Sequence, residues 1–73
     1  MDIETVFKIR ESLPDGISLQ QARTDQLRFD TGETLEQTEV EAIIDALDAQ
    51  WGRKYSLTLD FENGRVTATA RRE

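Results

Sequence analysis

The chain has 73 residues and a net charge of −6, with no cysteine and no histidine. That length supports one domain near the lower limit at which an apolar core suffices unaided. The missing residue types exclude disulfides, thiolate metal sites and the usual neutral-pH general base, so carboxylates are the remaining candidates for acid-base or metal chemistry. Charge is unevenly spread: residues 1–48 carry 12 acidic and 4 basic side chains, residues 49–73 carry 3 acidic and 5 basic. The start, Met-Asp-Ile-Glu-Thr, has neither a basic segment nor a following apolar run, so no signal peptide, membrane segment or membrane partner is expected and the expected location is cytoplasmic.

Met1 to Leu13 reads as a helix or a strand. A helix would be capped by Asp2, pair Glu4 with Lys8, and set Ile3, Val6, Phe7 and Leu13 on one face. A strand would turn Ile3, Thr5, Phe7 and Ile9 inward. The helix is preferred, and Pro14-Asp15-Gly16 ends the element in either case.

Ile17 to Asp30 holds two alternating pairs, Ile17 with Leu19 and Leu27 with Phe29, around the polar Arg23-Thr24-Asp25. Two short strands pairing Leu19 with Phe29 are expected; the rival is a helix opened by Ser18-Leu-Gln-Gln21. In the loop that follows, Gly32 is the expected residue at positive φ.

Residues 35–51 are expected to form an amphipathic helix. Thr34-Leu-Glu-Gln37 and Thr38-Glu-Val-Glu41 both match a capping box, so its start is uncertain by about a turn. Val40, Ile43, Ile44, Leu47 and Trp51 form one stripe at i, i+3, i+4, i+7 and i+11. Gly52 suits a C-terminal cap, and Arg53 and Lys54 complement the negative end of the helix dipole.

Strands over 54–62 and 65–72 complete the chain as a β-hairpin. Tyr55, Leu57, Leu59 and Phe61 alternate with Ser56, Thr58, Asp60 and Glu62, and Asn63-Gly64 is the preferred dipeptide of a type I′ turn. The implied register pairs Glu62 with Arg65, Phe61 with Val66, Leu59 with Ala68 and Leu57 with Ala70, placing every apolar residue on one face. The fold class expected is therefore α+β, a small single-layer antiparallel sheet with the 35–51 helix packed across one face, which would shut the hairpin's apolar side from water.

No catalytic constellation emerges, so no enzyme activity and no cofactor are expected. The sharpest surface feature is Glu41, Asp45 and Asp48, a carboxylate ridge at i, i+4 and i+7 beside the apolar stripe. Like charges at this spacing, with Asp48 against the dipole, do not favour the helix itself. A solvated acidic face is the plainer reading and docking of a basic protein partner the functional one; a divalent metal site would need an oxygen-rich loop that the chain lacks. Ala42, Ala46 and Ala49, with Thr38, lie on the side of the helix away from the stripe and read as surface helix formers, or as the approach of another helix such as that of a homodimer mate. Arg53, Lys54, Arg65, Arg71 and Arg72 give the hairpin a positive cast, which makes nucleic acid the alternative partner, against the acidic total. The expected function is a non-enzymatic protein-interaction module, accessory or inhibitory, acting through the acidic helix flank or an exposed sheet edge.

Overall fold

A computed structural model describes residues 3–73. The order is α1 (Ile3–Glu11), β1 (Ser18–Ala22), β2 (Gln26–Asp30), α2 (Gln37–Trp51), β3 (Tyr55–Glu62) and β4 (Arg65–Arg72). The four strands form one antiparallel sheet in the order β1-β2-β4-β3, which is the α+β architecture expected. Because β4 pairs antiparallel with both neighbours, β2 and β3 run the same way with β4 inserted between them. The connection from β2 to β3 must cross β4, and α2 makes that crossing, which sets the helix over the sheet's middle.

The hairpin register is the one the Asn-Gly turn implies, running unbroken from Tyr55 opposite Arg72 to Glu62 opposite Arg65. Asn63 and Gly64 both have positive φ, 55° and 74°, as a type I′ turn demands. The first hairpin also forms, with Leu19 opposite Phe29. A bulge at Gln20 then shifts the alternation, so that Gln21 lies opposite Arg28 on the polar face and Ala22 opposite Leu27 on the apolar one. Strict alternation would have turned Gln21 toward the core, and the extra residue prevents it.

The core lies between the helices and one sheet face. Ile9, Leu27, Phe29, Ile43, Leu47, Ala68 and Ala70 are fully buried, with Ile17, Ala46 and Trp51 nearly so. Ala68 and Ala70 carry minimal side chains on the central strand, leaving room for the larger residues of α2 and β2. Among the described residues, no helix or strand covers the opposite sheet face. There the Asp30 carboxylate accepts hydrogen bonds from Arg65 at 2.7 Å and from the Gly32 amide at 3.0 Å. Among the described residues, no helix is long and apolar enough to cross a membrane.

Four expectations need correction. The N-terminal segment is helical, but its buried residue is Ile9, with Val6 and Leu13 half-buried, whereas Ile3 and Phe7 face water. A cap at Asp2 lies outside the described residues. Helix α2 begins at Gln37, two residues later than expected, and neither threonine box is used: the Glu36 amide donates to the Glu39 carboxylate at 3.1 Å. Ala46 is buried rather than a surface helix former, because α1 packs on α2 and Ala46 joins the cluster containing Ile9. The close approach of a helix on that side comes from within the chain.

The fourth correction concerns the hairpin's apolar side. Leu59 is 49% exposed and Phe61 73%, although both share the face of Ala68 and Ala70. The cause is topological. β3 is an edge strand, and a helix centred on β4 covers its first half, reaching Tyr55 and Leu57, but leaves the half next to the turn open.

Candidate functional site

The open half of β3 and the flank of α2 face each other across a furrow. Its wide part, about 660 Å³, is lined by Leu35 and Val40 on the helix side and by Leu59, Phe61 and Val66 on the sheet side, with Glu33 at the rim. A second stretch of about 380 Å³ continues it between Ile44 and Asp48 of α2 and Tyr55 and Leu57 of β3. Val40, Ile44 and Asp48 are successive helical positions at a spacing of four, and Tyr55, Leu57, Leu59 and Phe61 are alternate strand positions. Each row therefore presents one face to the furrow.

Tyr55 joins the two walls at the narrow end. Its hydroxyl donates to the Asp48 carboxylate at 2.7 Å and lies 3.4 Å from the Ile44 carbonyl. Burial, then the hydrogen bond to Asp48, raises the phenol's pKa from its ordinary 10 to about 12. Its ring lies 6.2 Å from that of Trp51 at 59°, an oblique aromatic contact that anchors the last turn of α2. Gly52, at φ 66°, reverses the chain there, its amide donating to the Asp48 carbonyl at 2.9 Å.

Of the carboxylate ridge, Asp48 lines the narrow stretch of this furrow, together with the cationic Arg53. Glu41 and Asp45 are exposed, and Asp48 is half-buried, held by Tyr55 and 3.9 Å from Arg53. Glu41 accepts a hydrogen bond at 3.3 Å from the side chain of Gln37, itself a lining residue. Asp45 is near enough to Tyr55 to act on its phenol electrostatically. Of the three acids named from helical spacing, Asp48 lines the depression and is engaged internally, whereas Glu41 and Asp45 follow its lining residues Val40 and Ile44 along the helix and face solvent.

The five hairpin cations are not gathered on one surface. Arg65 is bound to Asp30 across the polar sheet face, and Arg53 lies beside Asp48. Alternation turns Arg71 to the polar face and Arg72 to the other, while Lys54 precedes β3. On the polar face Arg28, Arg65 and Arg71 are interspersed with Asp30, Asp60 and Glu62, so the cations there do not form a single-sign patch. Among the described residues, no group of three side chains is placed to hold a metal ion.

Sequence reasoning passed over Leu59 and Phe61 as surface residues. A signal was present in the hairpin itself: alanine on one strand faces leucine on the other, marking β4 as the strand beneath the helix and β3 as the one beyond it. Comparisons of the chain with family models, with curated proteins and with solved structures return no match.

Proposed function

We propose that this protein is a small non-enzymatic interaction module, an accessory or inhibitory protein acting in the cytoplasm, whose furrow between α2 and β3 takes a basic segment of a partner protein. One observation carries the reading: Leu59 and Phe61 lie exposed in a furrow whose wide part is lined by the acidic Glu33 and Asp60, with Glu41 and Asp45 exposed on α2 next to its lining residues Val40 and Ile44. In the wide part, where the lining charges Glu33 and Asp60 are both acidic, large apolar side chains that remain in water suit an amphipathic ligand with alternating apolar and basic residues. The apolar floor would supply affinity, and the ridge would supply rate and discrimination against acidic competitors.

The test is quantitative capture from a host extract, read by mass spectrometry, with wild type and two folded variants. Glu41→Lys with Asp45→Lys reverses the ridge while sparing Asp48, which Tyr55 needs. Phe61→Ser removes the floor. A protein retained by the wild type and lost by both variants supports the reading. Equal retention by the ridge-reversed variant shows that the carboxylates do not recognise the partner and removes it.

Binding of nucleic acid by the hairpin is the second reading, and the pairing of Arg65 with Asp30 weighs against it. An oligonucleotide shift at low salt, abolished by Arg71→Glu and Lys54→Glu together, would favour it over the first.

A further inference from the structure

The two edges of the sheet differ in kind. β1 is five residues long and interrupted by the bulge at Gln20, features by which proteins protect a free edge. β3 is eight residues long and continuous, without proline and without a charged side chain among its inner-face residues. The amide of Glu73 donates to the Lys54 carbonyl at 2.9 Å, which identifies the even-numbered residues on this side of the hairpin as those bonded to β4. In an antiparallel ladder bonded residues alternate, so the amides and carbonyls of Tyr55, Leu57, Leu59 and Phe61 point outward from the sheet. These are the same residues whose side chains line the furrow.

We propose that a second copy of this chain occupies that edge, with β3 lying antiparallel to β3 of its mate about a two-fold axis between the two Thr58 residues. The evidence is the strand's complementarity to itself. In this register Tyr55 lies opposite Phe61 of the mate and Leu57 opposite Leu59, so each outward-pointing residue meets another and exchanges both main-chain bonds. On the polar face Ser56 lies opposite Asp60, and Lys54 opposite Glu62, an opposite-charge pair that the symmetry repeats. A slip of two residues one way sets Tyr55 against Asn63 in the turn; the other way sets Phe61 against Arg53, in the turn after α2, whereas Lys54 still extends the ladder through its bond from Glu73. A slip of one residue would oppose inner-face and outer-face residues. The contact is isologous and closes on itself, giving a dimer and no fibre.

The dimer does not depend on the function proposed above: it uses the main-chain edge of β3, whereas the furrow uses side chains of the same strand. Edge pairing uses main-chain groups, Lys54 and Glu62, whereas the ridge stays free. The opposing effect is the facing of two Glu41–Asp45 ridges. Both furrows lie between them, and at physiological salt exposed charges beyond about 8 Å are largely screened.

The experiment is light scattering of the full chain over a concentration series, with cysteine cross-linking. Two strands paired at a non-hydrogen-bonded position bring α-carbons to about 4.5 Å, within disulfide range. The chain has no cysteine of its own, so Thr58→Cys should oxidise to a covalent dimer, while Ser56→Cys, set four residues out of register with its symmetry mate, should not. Lys54→Glu places like charges opposite each other twice and should weaken association roughly tenfold or more, with Lys54→Glu plus Glu62→Lys restoring it. A monomer at every concentration overturns the proposal. So does a dimer in which Thr58→Cys fails to cross-link or Lys54→Glu has no effect. Each of these results leaves the capture experiment free to succeed or fail alone.

Discussion

Helix α1 offers a sharp comparison, because two of its apolar residues sit two positions apart with opposite fates. Ile9 is 0% exposed and belongs to the main core, whereas Phe7 is 55% exposed. Replacing Ile9 by alanine removes buried methyl and methylene groups and leaves a cavity that the surroundings fill only in part, at about 2–5 kcal/mol. A domain of 73 residues has roughly 4–11 kcal/mol of total stability at ordinary values per residue, so Ile9→Ala should remain folded with a large share of its margin gone. At about 4–8 °C per kcal/mol for a domain of this size, a loss of ~3 kcal/mol lowers the melting temperature by roughly 12–24 °C. Phe7→Ser deletes a side chain that is mostly in water and exchanges residues of similar helix propensity, so its effect should stay within about 1 kcal/mol. Paired thermal melts by circular dichroism at a single low protein concentration read both. If Phe7→Ser costs as much as Ile9→Ala, α1 is rotated relative to its described position, and the packing of α1 against Ala46 falls with it.

Two titrations examine the polar contacts. With its pKa raised to about 12, the Tyr55 phenol favours the folded state below pH 10, and that contribution is lost as pH climbs from about 10 to about 12. Absorbance at 295 nm should show the single tyrosine ionising near the upper value and lower in Asp48→Asn; ionisation near 10 in the wild type would refute the contact. Asp30 behaves oppositely: the hydrogen bonds from Arg65 and Gly32 hold its carboxyl below the ordinary aspartate range. Its stabilisation is complete above the unfolded pKa and disappears as pH falls through the depressed one. Urea midpoints between pH 2 and pH 6 should therefore drop on acidification less steeply in Asp30→Asn than in wild type, and parallel curves would mean that the pair with Arg65 is inert.

How much of this was legible differs by element, for physical reasons. The second hairpin was readable to the residue, since Asn63-Gly64 fixes the turn and the turn fixes the register. The pairing of Leu19 with Phe29 was readable too, but not the bulge at Gln20, because no local residue preference announces an extra residue. Helix α1 could be recognised while its inward side could not: Ile3, Val6, Phe7 and Ile9 spread around much of the helix, and only the position of α2 chooses among them. Ala46 misled for a related reason, since alanine is favoured both on a wet helix surface and wherever another helix comes close. The ridge of Glu41, Asp45 and Asp48 was visible from spacing alone. That Asp48 lines an apolar furrow was not, because the insertion of β4 between β2 and β3, which strands Leu59 and Phe61 beyond the helix, is a property of strand order that no local pattern encodes.

The Tyr55 bridge has a mechanical corollary. It fastens the last turn of α2 to the beginning of β3, whereas among the described residues no hydrogen bond or ion pair fastens the helix's first turn to the far end of that strand. The walls accordingly resemble tongs hinged at tyrosine and free at phenylalanine. On the function proposed above, partner segments of differing girth would fit near Phe61, while one reaching Tyr55 would have to match a fixed gauge.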